Sequence, residues 1–164
     1  MDYIGEYREP FRWASDDLYH PDMKDYVEGN YSADNQLSDK DQNESRLWKY
    51  YEGIRKASTF IQNVDRCSEL TMDEIADMKG QARFLRAYCY WALIRVYGPV
   101  PLIPLEGLDV NLSYEELSLP REHFDNLVDF IDQELAESAR SLPTKRTVNN
   151  LGRPTRGAAL GLRS

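Results

Sequence analysis

Apolar residues recur at helical spacing along three long stretches of this chain. Over 44–66, Leu47, Tyr50, Ile54, Ala57, Ile61 and Val64 step by 3, 4, 3, 4 and 3, which places them on one face of a helix. The stretch 72–97 carries the strongest pattern. Ile75, Met78, Ala82, Leu85, Cys89, Ala92 and Val96 keep the same rhythm, and Phe84, Tyr88 and Trp91 form a second apolar stripe beside them. A helix that is apolar over two faces is covered on both. Its small residues Gly80, Ala82 and Ala87 let a neighbouring helix come close. A third helix is predicted from 120 or 121 to 141, its core face made of Phe124, Leu127, Val128, Ile131 and Leu135 and continued by Leu142.

Start and stop signals punctuate these stretches. Thr71 and Glu74 have capping-box spacing, in which a hydroxyl and a carboxylate each satisfy an orphan backbone N–H. Gly98-Pro99 ends the second helix, and 100–112 reads as an extended connector with two more prolines. Ser113-x-x-Glu116 offers a further cap, Pro143 closes the third helix, and a fourth begins near Pro154, a favoured first-turn residue. Residues 1–45 differ. Pro10, Pro21, Gly29 and the polar run 32–45 break any long period, with short helices expected at most near 3–13 or 22–28.

The expected fold is therefore all-α. Antiparallel helix pairs of tetratricopeptide type occupy 46–164, preceded by an irregular N-terminal segment, 1–45. The short loop between the first two helices makes them antiparallel neighbours, and the second helix of each pair is alanine-rich. Repeat units of this kind bury their faces against further units. Two pairs alone point to part of a larger protein, and to self-association through uncovered apolar surface.

Composition narrows the function. A net charge of -8 argues against nucleic acid as a partner. The 11 tyrosines and 3 tryptophans suit helix packing and also sugar stacking. Cys67 and Cys89 lack metal-ligand spacing and read as packed thiols, with a disulfide between them the open alternative. His20 and His123 are too far apart for a zinc pair or a dyad, and no glycine-rich phosphate loop occurs, so neither a metal nor a cofactor is expected. No carboxylate pair stands out as a glycosidase site.

Three segments, WKYYEGIRKASTFI, GQARFLRAYCYWALIRVYGPVPLI and LGRPTRGAALGLR, together resemble the SusD/RagB family of outer-membrane glycan-binding lipoproteins. The family pattern of Arg, an Ile-rich acidic helix, Leu-Pro and Gly-Arg-x-Thr is met by Arg121, Ile131, Leu135, Leu142-Pro143, Gly152-Arg153 and Thr155. The similarity covers roughly 44–163. Gly161 departs from the pattern, which usually has alanine there. So does the lack of a lipid-bearing N-terminal Cys and of everything beyond the second helix pair, as expected of an N-terminal portion. The resemblance implies a non-enzymatic role. Such proteins sit lipid-anchored on the outward face of the outer membrane. They bind oligosaccharide, or in some cases peptide, and hand it to a TonB-dependent, SusC-like transporter. In the family the helical repeats are mainly scaffold, and loops outside them build most of the glycan site.

Within this chain Trp13 and Tyr31 are the best stacking candidates, with Asp16 placed to bond sugar hydroxyls; Asp17 and Asn30 are close by. Loops commonly carry binding residues, although for Trp13 packing of its loop onto the scaffold is the favoured reading. Phe84, Tyr88, Tyr90 and Trp91 have helical spacing and read as core. Arg83, Arg86 and Arg95 read as partners of helix ends and of acids on neighbouring helices. Arg153 and Thr155 read as ties for the loop before the fourth helix. Two other functions compete: a helical-repeat module that binds protein or peptide and no glycan, and an accessory region of a glycoside hydrolase.

Overall fold

The computed structural model describes residues 46–108, 111 and 113–164, together with Glu28. Within Arg46–Ser164, a single compact unit, the order is α1 (Arg46–Asn63), a 3-10 turn (Val64–Arg66), α2 (Met72–Tyr97), α3 (Tyr114–Leu117), α4 (Phe124–Ser141), a second 3-10 turn (Val148–Asn150) and α5 (Arg156–Arg163). The described residues are helices and loops, as the periodicity predicts. α2 is central, with α1 and α4 packed on it, and α5 packs on α4.

The boundaries follow local chemistry. Thr71 and Glu74 form the expected capping box, with Thr71 N donating to Glu74 Oε2 at 2.9 Å and Glu74 N donating to Thr71 Oγ1 at 3.3 Å. Gly98 ends α2 at φ 66, where a Cβ would be strained. Ser113 and Glu116 repeat the capping box at α3. Two predicted starts are corrected. The third helix begins at Phe124, because 119–123 stays extended, with Glu122 N bonded to Val100 O at 3.1 Å. The fourth begins at Arg156 and not at Pro154. Thr155 is its N-cap, accepting from Ala158 N at 3.2 Å, and the Pro154 carbonyl is taken by Arg146.

The core lies along α2. Tyr90, Ile54, Leu93, Leu127, Leu135 and Leu142 are fully buried, each contributing about 1.5–3 kcal/mol. Three positions assigned to core faces are instead exposed: Leu85 at 41%, Phe124 at 47% and Val128 at 43%. Gly53 and Gly80 set the helix spacing. A Cβ on Gly53 would stand 3.1 Å from Cys89 Sγ, and one on Gly80 would stand 3.1 Å from Ser141 Cβ. That closeness lets the buried Ser138 hydroxyl donate to Gly80 O at 2.8 Å, joining α4 to α2. Arg146 fastens the loop before α5. Its guanidinium grips both oxygens of Asp77 at 2.6 and 2.8 Å and the Pro154 carbonyl at 2.7 and 2.9 Å.

Candidate functional site

Trp13, Asp16 and Tyr31, the expected sugar-binding residues, lie outside the described residues, as do Asp17, Asn30 and His20. The densest polar bonding that the structure does place is at the junction of α1, α2, α4 and the extended strap 99–105. The strap contains Pro99, Pro101 and Pro104, which lack N–H groups, so it cannot pair as a strand. Side chains from the helices satisfy it instead. Tyr51 Oη donates to Pro101 O at 2.8 Å, Ile103 N donates to Tyr90 Oη at 2.8 Å, and Arg86 Nη2 donates to Ile103 O at 2.9 Å. Gln62 donates to Leu105 O, and Arg121 Nη1 reaches Pro99 O at 3.1 Å and Tyr97 O at 3.3 Å.

Beneath the strap sits a buried charge cluster. Glu134 of α4 accepts from Arg83 at 2.5 Å and lies 3.7 Å from Arg86 Nη1. Arg86, only 3% exposed, also stacks 4.8 Å over the Phe130 ring. Burial raises the Glu134 carboxyl above the ordinary range, opposed by the two guanidiniums. Burial likewise raises the Tyr90 and Tyr51 phenols, and it pushes the Cys89 thiol up to about 11. Among the described residues none of these groups bonds to a base that would activate it. Among the described residues no cluster of three or more His, Cys, Asp or Glu could hold a metal, and Cys67 and Cys89 are free thiols.

The α2 aromatics divide in two. Tyr90 is fully buried, its ring edge-on to Phe130 (5.2 Å, 80°) and to Tyr51 (6.4 Å, 88°). Phe84, Tyr88 and Trp91 are half-buried. Phe84 and Tyr88 stack at 6.4 Å and 16°, and Tyr88 meets Trp91 at 5.6 Å. Arg95 lies 4.1 Å over the Trp91 ring. Phe84 and Trp91 pack against the core, as their helical spacing predicts, and Arg95 covers one face of Trp91. Arg83 and Arg86 bind an acid and a backbone carbonyl on neighbouring segments, as expected, whereas Arg95 stacks on its own helix. Thr155 caps α5, and Arg153 reaches Gln81 Oε1 at 3.3 Å.

Residues 13–164 match the sequence model of SusD-like proteins, described as starch-binding associating with outer membrane. The chain belongs to the SusD-like family. It is 27% identical over 100 residues to the SusD-like protein P25 of Formosa agariphila, an alignment covering 52% of this chain and 19% of that one. A SusD-like protein from Bacteroides fragilis superposes with a TM-score of 0.63 at 28% identity, over 71% of this chain and 22% of its own. Surface glycan-binding protein A from Bacteroides uniformis superposes with a TM-score of 0.62 at 27% identity, over 71% and 26%. The chain thus spans about a fifth to a quarter of the length of these relatives.

Three residues of this SusD-like scaffold escaped the sequence reading: Glu134, Tyr51 and Arg146. The signal for Glu134 was available. It falls three residues after Ile131 and four before Ser138, on the α4 core face, and the arginines three apart on α2 call for a partner. Tyr51 bonds to the Pro101 carbonyl and Arg146 to the Asp77 carboxylate, both distant in sequence, which no local spacing reveals.

Proposed function

We propose that the protein to which this chain belongs is a surface lipoprotein that binds oligosaccharide noncovalently and passes it to a TonB-dependent, SusC-like outer-membrane transporter. The observation that carries this reading is the family match across residues 13–164. The chain's own contribution is twofold. Residues 46–164 supply a rigid helical scaffold, its strap fixed by Tyr51, Tyr90 and Arg86. The segment 1–45 supplies the sugar contacts: Trp13 and Tyr31 stack on the C–H faces of sugar rings and Asp16 accepts from hydroxyls. The protein acts without catalysis, outward-facing and lipid-anchored.

A glycan array with the full-length protein tests this. Binding of a defined oligosaccharide is expected, weakened about tenfold or more in Trp13→Ala, which equals about 1.4 kcal/mol of lost contact. Array-wide silence, or binding unchanged in Trp13→Ala, Asp16→Ala and Tyr31→Ala, would remove the sugar or its proposed contacts respectively.

A further inference from the structure

We infer that α4 controls the strap through α2: Phe130 and Glu134 orient Arg86 and Tyr90, and these two fix the strap at Ile103. The inference is independent of the glycan reading. It rests on groups in the interior of the helical unit. Arg86 is 3% exposed, Glu134 7%, and Tyr90 is fully buried.

Each layer contributes a pair. Arg86 and Tyr90 stand one turn apart on α2 and share a side of it. Together they take both backbone polar groups of one strap residue. Arg86 Nη2 donates to Ile103 O at 2.9 Å, and Ile103 N donates to Tyr90 Oη at 2.8 Å. Phe130 and Glu134 stand one turn apart on α4. The Phe130 ring lies 4.8 Å from the Arg86 guanidinium and meets Tyr90 edge-on at 5.2 Å, so one ring braces both strap holders. Glu134 Oε2 stands 3.7 Å from Arg86 Nη1, while its other oxygen is bound by Arg83 at 2.5 Å. Among the described residues no hydrogen bond runs from α4 to the strap, so α4 reaches Ile103 through the α2 pair.

Charge makes this link strong. A guanidinium buried without its acid is an uncompensated charge, which is a costly state. Arg86 has no hydrogen-bond partner at Nε, and its bond to the strap is the single one from Nη2. When Glu134 loses its charge, Arg86 moves toward water and gives up the Ile103 carbonyl. The strap then opens locally while the helices stay folded.

Hydrogen exchange by mass spectrometry on the full-length protein at pH 7, read on peptides covering 99–105, gives the test. Circular dichroism verifies folding of each variant. Glu134→Gln keeps the side-chain shape and removes the charge; it speeds strap exchange about fivefold or more and leaves the middle of α2 slow. Arg86→Met speeds the strap as well. Adding Glu134→Gln to Arg86→Met brings no further increase, because the link is already cut. Ser138→Ala removes the other bond from α4 to α2, the one to Gly80 O, which involves neither Arg86 nor the strap; it leaves strap exchange at the parent rate. Strap exchange unchanged in Glu134→Gln overturns the proposal. So does an equal acceleration by Glu134→Gln with and without Arg86, or a strap as fast in Ser138→Ala as in Glu134→Gln.

Discussion

Removing one oxygen from Tyr90 should loosen the strap without disturbing the core. Tyr90→Phe keeps the fully buried ring and its edge contacts with Tyr51 and Phe130. It deletes only the acceptor for the Ile103 N–H, a bond of 2.8 Å. A buried donor left without a partner costs about 1–3 kcal/mol. Ile103 is half-buried, so water can replace part of the bond, and the loss should be about 1–2 kcal/mol. For a chain of this size that corresponds to a drop of about 2–8 °C in Tm. Urea unfolding followed by circular dichroism should show a lower midpoint with an unchanged slope. Hydrogen exchange should speed at the Ile103 amide and stay slow in the middle of α2. Tyr90→Ala, which also empties the ring site, should cost about 3–5 kcal/mol. If Tyr90→Phe is as stable as the parent, the strap is not held by this hydroxyl. If it is as damaging as Tyr90→Ala, the cost lies elsewhere in the core.

Other expectations follow from single contacts. Asp77→Asn should cost about 1.5–3 kcal/mol, since it breaks the two-pronged grip on Arg146, whose side chain is only 8% exposed; chemical unfolding reads this directly. Cys89, with its thiol pushed up to about 11 by burial, should resist a disulfide reagent at pH 8 in the native state and react once the protein is denatured; rapid native labelling would contradict its placement. The capping acids Glu74 and Glu116 have carboxyls lowered by bonds from Thr71 and Ser113. Their stabilisation is present above the ordinary carboxylate range and is lost as pH falls through their lowered values. The stability gap between the parent and Glu74→Gln with Glu116→Gln should therefore be open at pH 7 and narrow as pH falls below the ordinary carboxylate range. Glu134, raised by burial, works in the opposite sense, its contribution falling as pH rises through its folded value.

The helices were legible because their apolar spacing and caps are local. α2 ends at the residue the Gly98-Pro99 stop predicts, and the Thr71–Glu74 box opens it. α4 and α5 start later than predicted because what precedes them is settled by distant bonds: Glu122 N to Val100 O, and Arg146 to the Pro154 carbonyl. Periodicity also misread the faces. Leu85 and Val128 continue apolar rows that point to solvent, while Glu134 and Arg86 are buried, Glu134 accepting from Arg83 and Arg86 donating to the Ile103 carbonyl. The strap's anchors were illegible, since Tyr51 meets Pro101 across 50 residues of sequence. Family membership was legible from three ordered segments and the residues between the last two, which the structure places in the helices and their connecting loops. The proposed sugar contacts Trp13, Asp16 and Tyr31 rested on composition and loop character, and they lie outside the described residues.

The central claim is that the full-length protein holds an oligosaccharide and leaves it intact. Calorimetric titration with the oligosaccharide picked out by the array, followed by chromatography of the recovered sugar, tests both halves at once. Saturable binding with the sugar returned at its original length is the predicted result. Absence of binding, or recovery of shortened products, would contradict it.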